Sequence, residues 1–132
     1  MSAFPMPKKL DLSTAQVHAV ALSAFFNITH KWGLTAEEEQ ILLGKPARST
    51  FFKWKKDKQA DLNHDMLERI SYLLGIYKAL HILLPTEHAA NAWLKKPNTA
   101  PLFAGQTALK KMLRGSIVDL ADVRRYLDAQ RG

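Results

Sequence analysis

Residues Asp65 to Leu84, DMLERISYLLGIYKALHILL, predict a long helix around which the rest of the chain must pack. Its apolar side chains recur every three or four positions and spread to every face towards the C-terminal end. A helix that is apolar on all sides must be covered on several of them, so we expect the segments before and after it to pack against it. A second subunit is another candidate to pack against this helix. The segment is too short and too charged to span a membrane.

The ends of this central helix follow from the residues beside it. Asn63 is a suitable N-cap, because its side-chain oxygen can accept a hydrogen bond from the first turn, and Pro85 blocks continuation. Gly75 lies inside the helix at a cost of about 1 kcal/mol relative to alanine. This cost predicts that another backbone comes close there, and a glycine tolerated by chance is the alternative.

The composition limits the classes of protein to consider. A chain of 132 residues, 47% of them hydrophobic, forms one domain or two small units that share a core, and is not disordered. The absence of cysteine excludes disulfides, thiolate zinc sites and a cysteine nucleophile. The net charge of +7 favours an anionic partner, with nucleic acid ahead of a membrane. The first 13 residues lack the apolar core of a signal peptide, so we expect a cytoplasmic protein.

A flexible arm and a first helix are predicted at the start of the chain. Residues 1–12 contain two prolines and are expected to form the arm. Ser13 and Gln16 have the spacing of a capping box and predict the start of the helix, which Gly33 ends. The apolar stripe of this helix is predicted to be Val17, Val20, Ala24, Phe25, Ile28 and Trp32.

Two shorter helices are predicted next. Thr35 and Glu38 repeat the capping-box spacing and predict a second helix that Gly44 ends. Pro46 suits the first turn of a third helix, ARSTFFKWKKD, which covers residues 47–57. Two short helices joined by a glycine-containing turn form a helix-turn-helix candidate.

The third helix has two different sides on a helical wheel. The inward side carries Ala47, Thr50, Phe51 and Trp54. The outward side carries Arg48, Ser49, Phe52, Lys53 and Lys56. Arginine and serine can reach base edges and lysines can neutralise phosphates, so we predict that the outward set binds DNA. An ordinary solvated helix face is the alternative.

Three further helices are predicted after the central one: a short helix capped by Thr86, another short helix from Thr107 to Arg114, and a last helix capped by Ser116. Residues 97–106 contain two prolines and a glycine and are expected to form an ordered loop. In the last helix, an inward stripe of Leu120, Val123 and Leu127 opposes an outward set of Arg124, Arg125, Asp128 and Arg131. No segment alternates with period two for long enough to form a strand, so the predicted fold class is all-α.

The sequence contains no recognisable catalytic constellation. Its five histidines lie on separate predicted elements without metal-ligand spacing. Neither a glycine-rich phosphate loop nor a GxSxG nucleophile elbow is present. Residues 37–39 are all glutamate and lie in the first turn of a helix, where carboxylates interact favourably with the helix dipole. We therefore expect no catalytic residue, no metal and no cofactor, and we expect that the protein is not an enzyme.

From Asn63 onward, the chain resembles the toxin-binding domain of the Xre/MbcA/ParS antitoxins of bacterial type II toxin–antitoxin systems. The resemblance rests on Trp93-Leu94 followed by Pro97-Asn98, on Phe103 and Gly105, on the turn from Leu109 to Gly115, and on the ending Val123-Arg124-Arg125-Tyr126-Leu127. The preceding helices resemble the Xre-like N-terminal part of the same family. The resemblance implies a helix-turn-helix module at residues 13–62 and a toxin-binding domain at residues 63–132.

The resemblance also implies a homodimer, or a higher oligomer, that neutralises a toxin encoded beside it. That toxin would carry a RES domain that degrades NAD or uses it for ADP-ribosylation, and the antitoxin's C-terminal region would block its NAD-binding cleft. The residues expected to bind the toxin are Arg124, Arg125, Asp128, Arg131 and Gly132. A carboxylate at Gly132 could pair with arginines that hold the NAD pyrophosphate. In the alternative, the arginines form a solvated face, and Trp93 and Phe103 anchor loops.

The expected function is toxin inhibition by active-site occlusion, together with repression of the protein's own operon through a palindromic operator. The main alternative is a stand-alone helix-turn-helix transcriptional regulator without a toxin partner. An enzyme is the alternative from another class, and no sequence feature supports it. We expect no membrane partner.

Overall fold

The computed structural model describes residues 13–132, and the predicted arm at residues 1–12 lies outside this part. The described residues form seven α-helices, and their one β feature is an isolated bridge between Pro97 and Thr107. The helices are α1 Thr14–Lys31, α2 Ala36–Leu43, α3 Arg48–Asp57, α4 His64–Leu83, α5 Glu87–Ala92, α6 Ala108–Met112 and α7 Ile117–Gln130. A single 3₁₀ turn, Trp93–Lys95, continues α5. The all-α prediction is confirmed.

The helix α4 lies at the centre of the fold. It packs against α1 and α2 from the chain before it and against α5 and α7 from the chain after it. Its fully covered side chains are Ile70, Leu73, Ile76, Ala79 and Leu80. The prediction that the segments before and after the central helix pack against it is confirmed. Truncation of one of these leucines to alanine would cost about 2–5 kcal/mol, because a cavity would remain. Across residues 13–132, every helix falls short of the length or the apolarity needed to cross a bilayer.

The predicted helix starts are confirmed by their capping hydrogen bonds. Each predicted N-cap side chain accepts a backbone N–H of its own first turn, and this holds for Ser13, Thr35, Asn63, Thr86 and Ser116. Thr107, predicted as the first residue of a helix that ends at Arg114, is instead the N-cap of the shorter α6. Ser13 and Thr35 form full capping boxes, in which the glutamine or glutamate three residues later accepts the N-cap N–H in return. Each cap satisfies an N–H that the helix itself cannot pair.

The predicted stripe of α1 is wrong in its N-terminal half. Val17 is 43% exposed and Val20 is 59% exposed. The buried side instead carries Leu22 and Phe26, which the predicted stripe omits, together with Phe25. The valines lie on the other side of the helix, because the larger side chains at positions 22, 25 and 26 set the buried face.

The predicted start of α3 is also wrong. The helix begins at Arg48, and Ala47 is an extended N-cap without a side-chain hydrogen bond. The turn before it is longer than expected, because Gly44 and Lys45 both adopt left-handed backbone conformations, with φ of 103° and 60°. The N–H of Lys45 reaches back to the carbonyl of Gln40 at 2.8 Å and closes α2.

Candidate functional sites: the α3 face and the α7 face

The DNA-binding residues predicted from the sequence form one exposed surface, here called the α3 face. All of its members are exposed, and they are Arg48, Ser49, Phe52, Lys53 and Lys56. On the opposite side of the helix Phe51 is fully buried and packs edge-on against Phe26, with ring centroids 5.7 Å apart. Burial of this ring fixes which side of α3 faces solvent.

The contacts within the α3 face preorganise its arginine. The guanidinium carbon of Arg48 lies 4.9 Å from the centroid of the Phe52 ring. This is cation–π distance, and Phe52 is itself 38% exposed. No carboxylate in the described part of the chain forms an ion pair with Arg48, so its donors face solvent. An arginine in this setting can donate to a base edge or to a phosphate.

An ion pair between the buried Glu39 and the partly exposed Lys55 holds α3 on the rest of the helix-turn-helix. The Glu39 carboxylate accepts hydrogen bonds from Lys55 Nζ at 2.6 Å and from Thr29 Oγ1 at 2.5 Å. These contacts join α2, α3 and α1. The sequence reasoning assigned Glu39 to the helix dipole and missed this pair. The available signal was its position three and four residues before Leu42 and Leu43, which places it on the buried side of α2.

The predicted toxin-binding residues lie on a second surface, here called the α7 face and defined as Arg124, Arg125, Asp128, Arg131 and Gly132. The predicted inward stripe of α7 is confirmed, because Leu120, Val123 and Leu127 are all buried. Around the outer side, Asp128 lies between two arginines, with Arg124 Nε at 3.6 Å and Arg131 Nη1 at 3.7 Å. Exposed pairs of this kind contribute about 0–1 kcal/mol each, so a partner could replace them at little cost.

The position of Arg124 differs from the outward orientation predicted for it. Its side chain is half-buried against α4, and Nη1 lies 3.3 Å from the carbonyl oxygen of Ser71. The same guanidinium covers Gly75, where an added Cβ would lie 2.6 Å from Nη1. The prediction that another backbone approaches Gly75 is therefore wrong, because a side chain occupies that space.

Two cations, the buried Arg69 and the mostly covered Lys111, hold α7 in place. Lys111 Nζ lies 3.0 Å from Asp119 Oδ1 and 3.4 Å from Asp122 Oδ2, which joins α6 to α7. Arg69 donates to Asp65 at 2.8 Å and to the carbonyl of Gly115 at 2.9 Å, which joins α4 to the turn before α7. The sequence reasoning missed both. Arg69 could have been found from its position four residues before the buried Leu73.

An aromatic cluster packs against the C-terminal half of α7. The rings of Trp93 and Tyr126 are almost parallel, at 22°, with centroids 6.5 Å apart. Phe103 meets both of them edge-on, at 5.8 Å from Trp93 and 5.1 Å from Tyr126. Phe103 is buried and ties residues 97–106 to this cluster, so these residues form an ordered loop, as predicted. The interpretation of Trp93 and Phe103 as loop anchors agrees with this geometry.

The histidines are not brought together. His18 is buried, and its Nδ1 accepts the N–H of Leu62 at 2.9 Å. His81 stacks on Tyr77 within α4, with ring centroids 4.0 Å apart. The other three are exposed, namely His30, His64 and His88. Among residues 13–132, no three His, Asp or Glu side chains are grouped so that they could hold a metal ion.

Known proteins resemble both regions of the chain. The family described as "Antitoxin Xre-like helix-turn-helix domain" matches residues 11–75, and that described as "Antitoxin Xre/MbcA/ParS C-terminal toxin-binding domain" matches residues 79–132. The two matches meet inside α4, which both regions share. The chain is also 50% identical over 111 residues to the uncharacterized protein y4oB of Sinorhizobium fredii (strain NBRC 101917 / NGR234), covering 84% of each chain.

Proposed function

Because this chain belongs to the Xre/MbcA/ParS antitoxin family, with a helix-turn-helix domain and a toxin-binding domain, we propose that it neutralises a cognate RES-domain toxin by occluding the toxin's active site. The α7 face is the part that occludes. The observation that carries the proposal is the exposed charge at the last turns of α7, where Arg125, Asp128 and Arg131 are all exposed and Arg131 pairs with Asp128. The match to the toxin-binding domain includes all three residues.

The chemistry of this face suits a site that binds NAD. A toxin that consumes NAD would hold the anionic pyrophosphate with cations, and we propose that its cleft also carries acidic groups. The Asp128 carboxylate can pair with those cations, and Arg125 and Arg131 can pair with the acids. Because the pairs of Asp128 with Arg124 and Arg131 are surface pairs, their exchange for toxin partners costs little.

The helix that presents these charges is preorganised. Its inward stripe is fully buried, and the Lys111–Asp119 pair fixes its first turn. Binding therefore does not have to order the backbone of α7, which lowers the entropic cost of association. We assign Arg124 a different part in the same surface, since its guanidinium holds α7 on α4 as well as contacting Asp128.

Growth of cells that express the toxin tests this proposal. Deletion of residues 128–132 should release toxicity, and so should the double variant Arg125→Glu with Arg131→Glu. Lys110→Glu is the matched control, because Lys110 is an exposed cation of the same domain on α6. Full neutralisation by the deleted chain would overturn occlusion by this segment.

We also propose that a homodimer of this protein binds a palindromic operator and represses its own operon. The α3 face supports this role, because it presents an arginine, a serine and two lysines on one exposed side of a helix that Glu39 and Phe51 hold in place. Two copies are required for a palindrome, since each recognition helix reads one half-site. An operator-binding antitoxin of this kind would act in the cytoplasm, without a membrane partner and without catalysis.

A stand-alone regulator is the second candidate, and the same α3 face favours it. Two observations separate the two functions. The first is whether the adjacent reading frame encodes a RES-domain protein. The second is whether co-expression of this chain restores growth to cells that express that protein, which a stand-alone regulator would not do.

A further inference from the structure

Two turns from different domains lie against each other beside the N-terminal end of α3. The turn with Gly44 and Lys45 joins α2 to α3, and the turn with Arg114 and Gly115 joins α6 to α7. A Cβ built on Gly115 would lie 3.5 Å from Lys45 Cε and 3.6 Å from Lys45 Nζ. The side chain of Lys45 therefore extends from the helix-turn-helix and ends beside the C-terminal domain.

A buried arginine fixes the position of these two turns. Arg69 Nη2 donates to the carbonyl of Gly115 at 2.9 Å, and Arg69 Nε donates to Asp65 at 2.8 Å. The same side chain packs against the other turn, because a Cβ built on Gly44 would lie 3.3 Å from Arg69 Nε. Arg69 is 8% exposed, so the two turns are already ordered before a partner binds, which lowers the entropic cost of binding.

Lys45 and Arg114 carry exposed positive charge at this junction. Across residues 13–132, no carboxylate forms an ion pair with Lys45. The side chain of Arg114 is 69% exposed, and its Nε lies 3.8 Å from Asp119 Oδ2, while the other oxygen of Asp119 pairs with Lys111 at 3.0 Å. A long pair to an arginine on the surface is weak, so both cations are available to an anionic partner.

The position of these two cations suits contact with a DNA backbone. In helix-turn-helix proteins, the N-terminal residues of the recognition helix enter the major groove. Arg48 of the α3 face lies in this first turn, and Lys45 precedes it by three residues. A major groove is about 12 Å wide, so side chains around the inserted end of the helix come close to the phosphates along its edges.

We propose that Lys45 and Arg114 bind backbone phosphates of the operator, so that the C-terminal domain takes part in DNA binding. The proposal rests on the proposed operator binding, and it adds two residues outside the α3 face to the DNA-binding surface. Their expected role is to position the protein on the duplex, since contacts to phosphates carry no sequence information of their own.

The test is the binding of the full chain to two duplexes, one from the promoter of its own operon and one of random sequence. Fluorescence anisotropy at several salt concentrations measures the affinities. Arg114→Gln should lower the slope of log K against log salt by about 1 and should weaken binding to both duplexes alike, by about fivefold near physiological salt, because one phosphate contact is lost. Lys45→Gln should have the same effect, and the double variant should lower the slope by about 2. An unchanged slope in either single variant would overturn the proposal.

Two further variants separate charge from structure. Arg114→Lys keeps the positive charge and should keep the slope of the unmodified protein, whereas a structural role of the guanidinium would not be restored by lysine. Lys96→Ala is the matched control, because Lys96 is an exposed cation of the same domain on another segment, and its slope should not change. Circular dichroism melting confirms that each variant is folded.

The remaining outcomes separate this proposal from the proposed function. If Lys53→Ala and Lys56→Ala lower the slope but Lys45→Gln and Arg114→Gln do not, this proposal fails alone. If none of the four variants lowers the slope, operator binding through the α3 face fails as well. If Arg114→Gln releases the toxin in the growth assay and leaves the slope unchanged, this surface contacts the toxin and the proposal is overturned.

Discussion

The guanidinium of Arg124 on α7 occupies the space that a side chain at Gly75 on α4 would need. A Cβ added to Gly75 would lie 2.6 Å from Arg124 Nη1, closer than side-chain carbons approach in folded proteins. Glycine is therefore present at this point of α4 because an arginine crosses the helix there. The same arginine donates to the carbonyl of Ser71, so the contact joins the two helices that pack most extensively in the fold.

The first prediction is that the effect of Gly75→Ala on stability depends on residue 124. Alanine in a helix interior is about 0.5–1 kcal/mol more favourable than glycine, so Gly75→Ala should raise the free energy of unfolding by that amount in an Arg124→Ala background. With Arg124 present, the new methyl group displaces the guanidinium, and the gain should vanish or change sign. Urea unfolding of the four proteins of this double-mutant cycle measures the coupling. Equal effects of Gly75→Ala in both backgrounds would show that the two residues do not interact.

The second prediction concerns the buried carboxylate of Glu39. Lys55→Ala removes one of its two hydrogen-bond donors and should lower the free energy of unfolding by about 1–3 kcal/mol, because a buried polar group loses its partner. Lys56→Ala changes the adjacent, exposed lysine and should stay within about 0.5 kcal/mol. Urea unfolding measures both. Similar losses in the two variants would contradict a specific contribution from Lys55.

Helix starts were predictable from local sequence, since capping needs only a side-chain oxygen and an N–H two or three residues away. Ser13, Thr35 and Asn63 are examples, and each acts within its own first turn. The buried side of α7 was also predictable, because its leucines and valine recur with the helical period. Each of these features depends on the sequence of a single helix.

Features that depend on two distant elements were not predictable from the sequence. The side chain that occupies the space beside Gly75 belongs to Arg124, 49 positions later in the chain. The exposed Val17 and Val20 look like core residues until the packing of Leu22 and Phe26 is known. Buried charges such as Glu39 resemble surface charges in a one-dimensional pattern, because their partners come from other helices.

The third prediction concerns His18, which accepts the N–H of Leu62 in the segment before α4. His18→Phe keeps a large ring but leaves this buried N–H without an acceptor, and it should lower the free energy of unfolding by about 1–3 kcal/mol. Hydrogen exchange at the Leu62 amide should become faster in this variant. Val17→Ala, a change at the exposed neighbour, is the control and should alter neither quantity appreciably. Slow exchange at Leu62 in His18→Phe would mean that another group protects that amide.

The fourth prediction separates base reading from phosphate contact on the α3 face. Lys53→Ala and Lys56→Ala should weaken binding to all DNA sequences alike and should each lower the slope of log K against log salt by about 1, because one phosphate contact is lost. Arg48→Ala should instead reduce the preference for the operator over random DNA, since we propose that the exposed Arg48, which lies over the Phe52 ring, contacts a base edge. Fluorescence anisotropy with operator and random duplexes at several salt concentrations measures both effects. Lys96→Ala, an exposed lysine outside the helix-turn-helix, is the control and should change neither the preference nor the salt slope. If Arg48→Ala weakened binding to both duplexes equally, Arg48 would be a phosphate contact, and the specificity would have to come from other residues of α3.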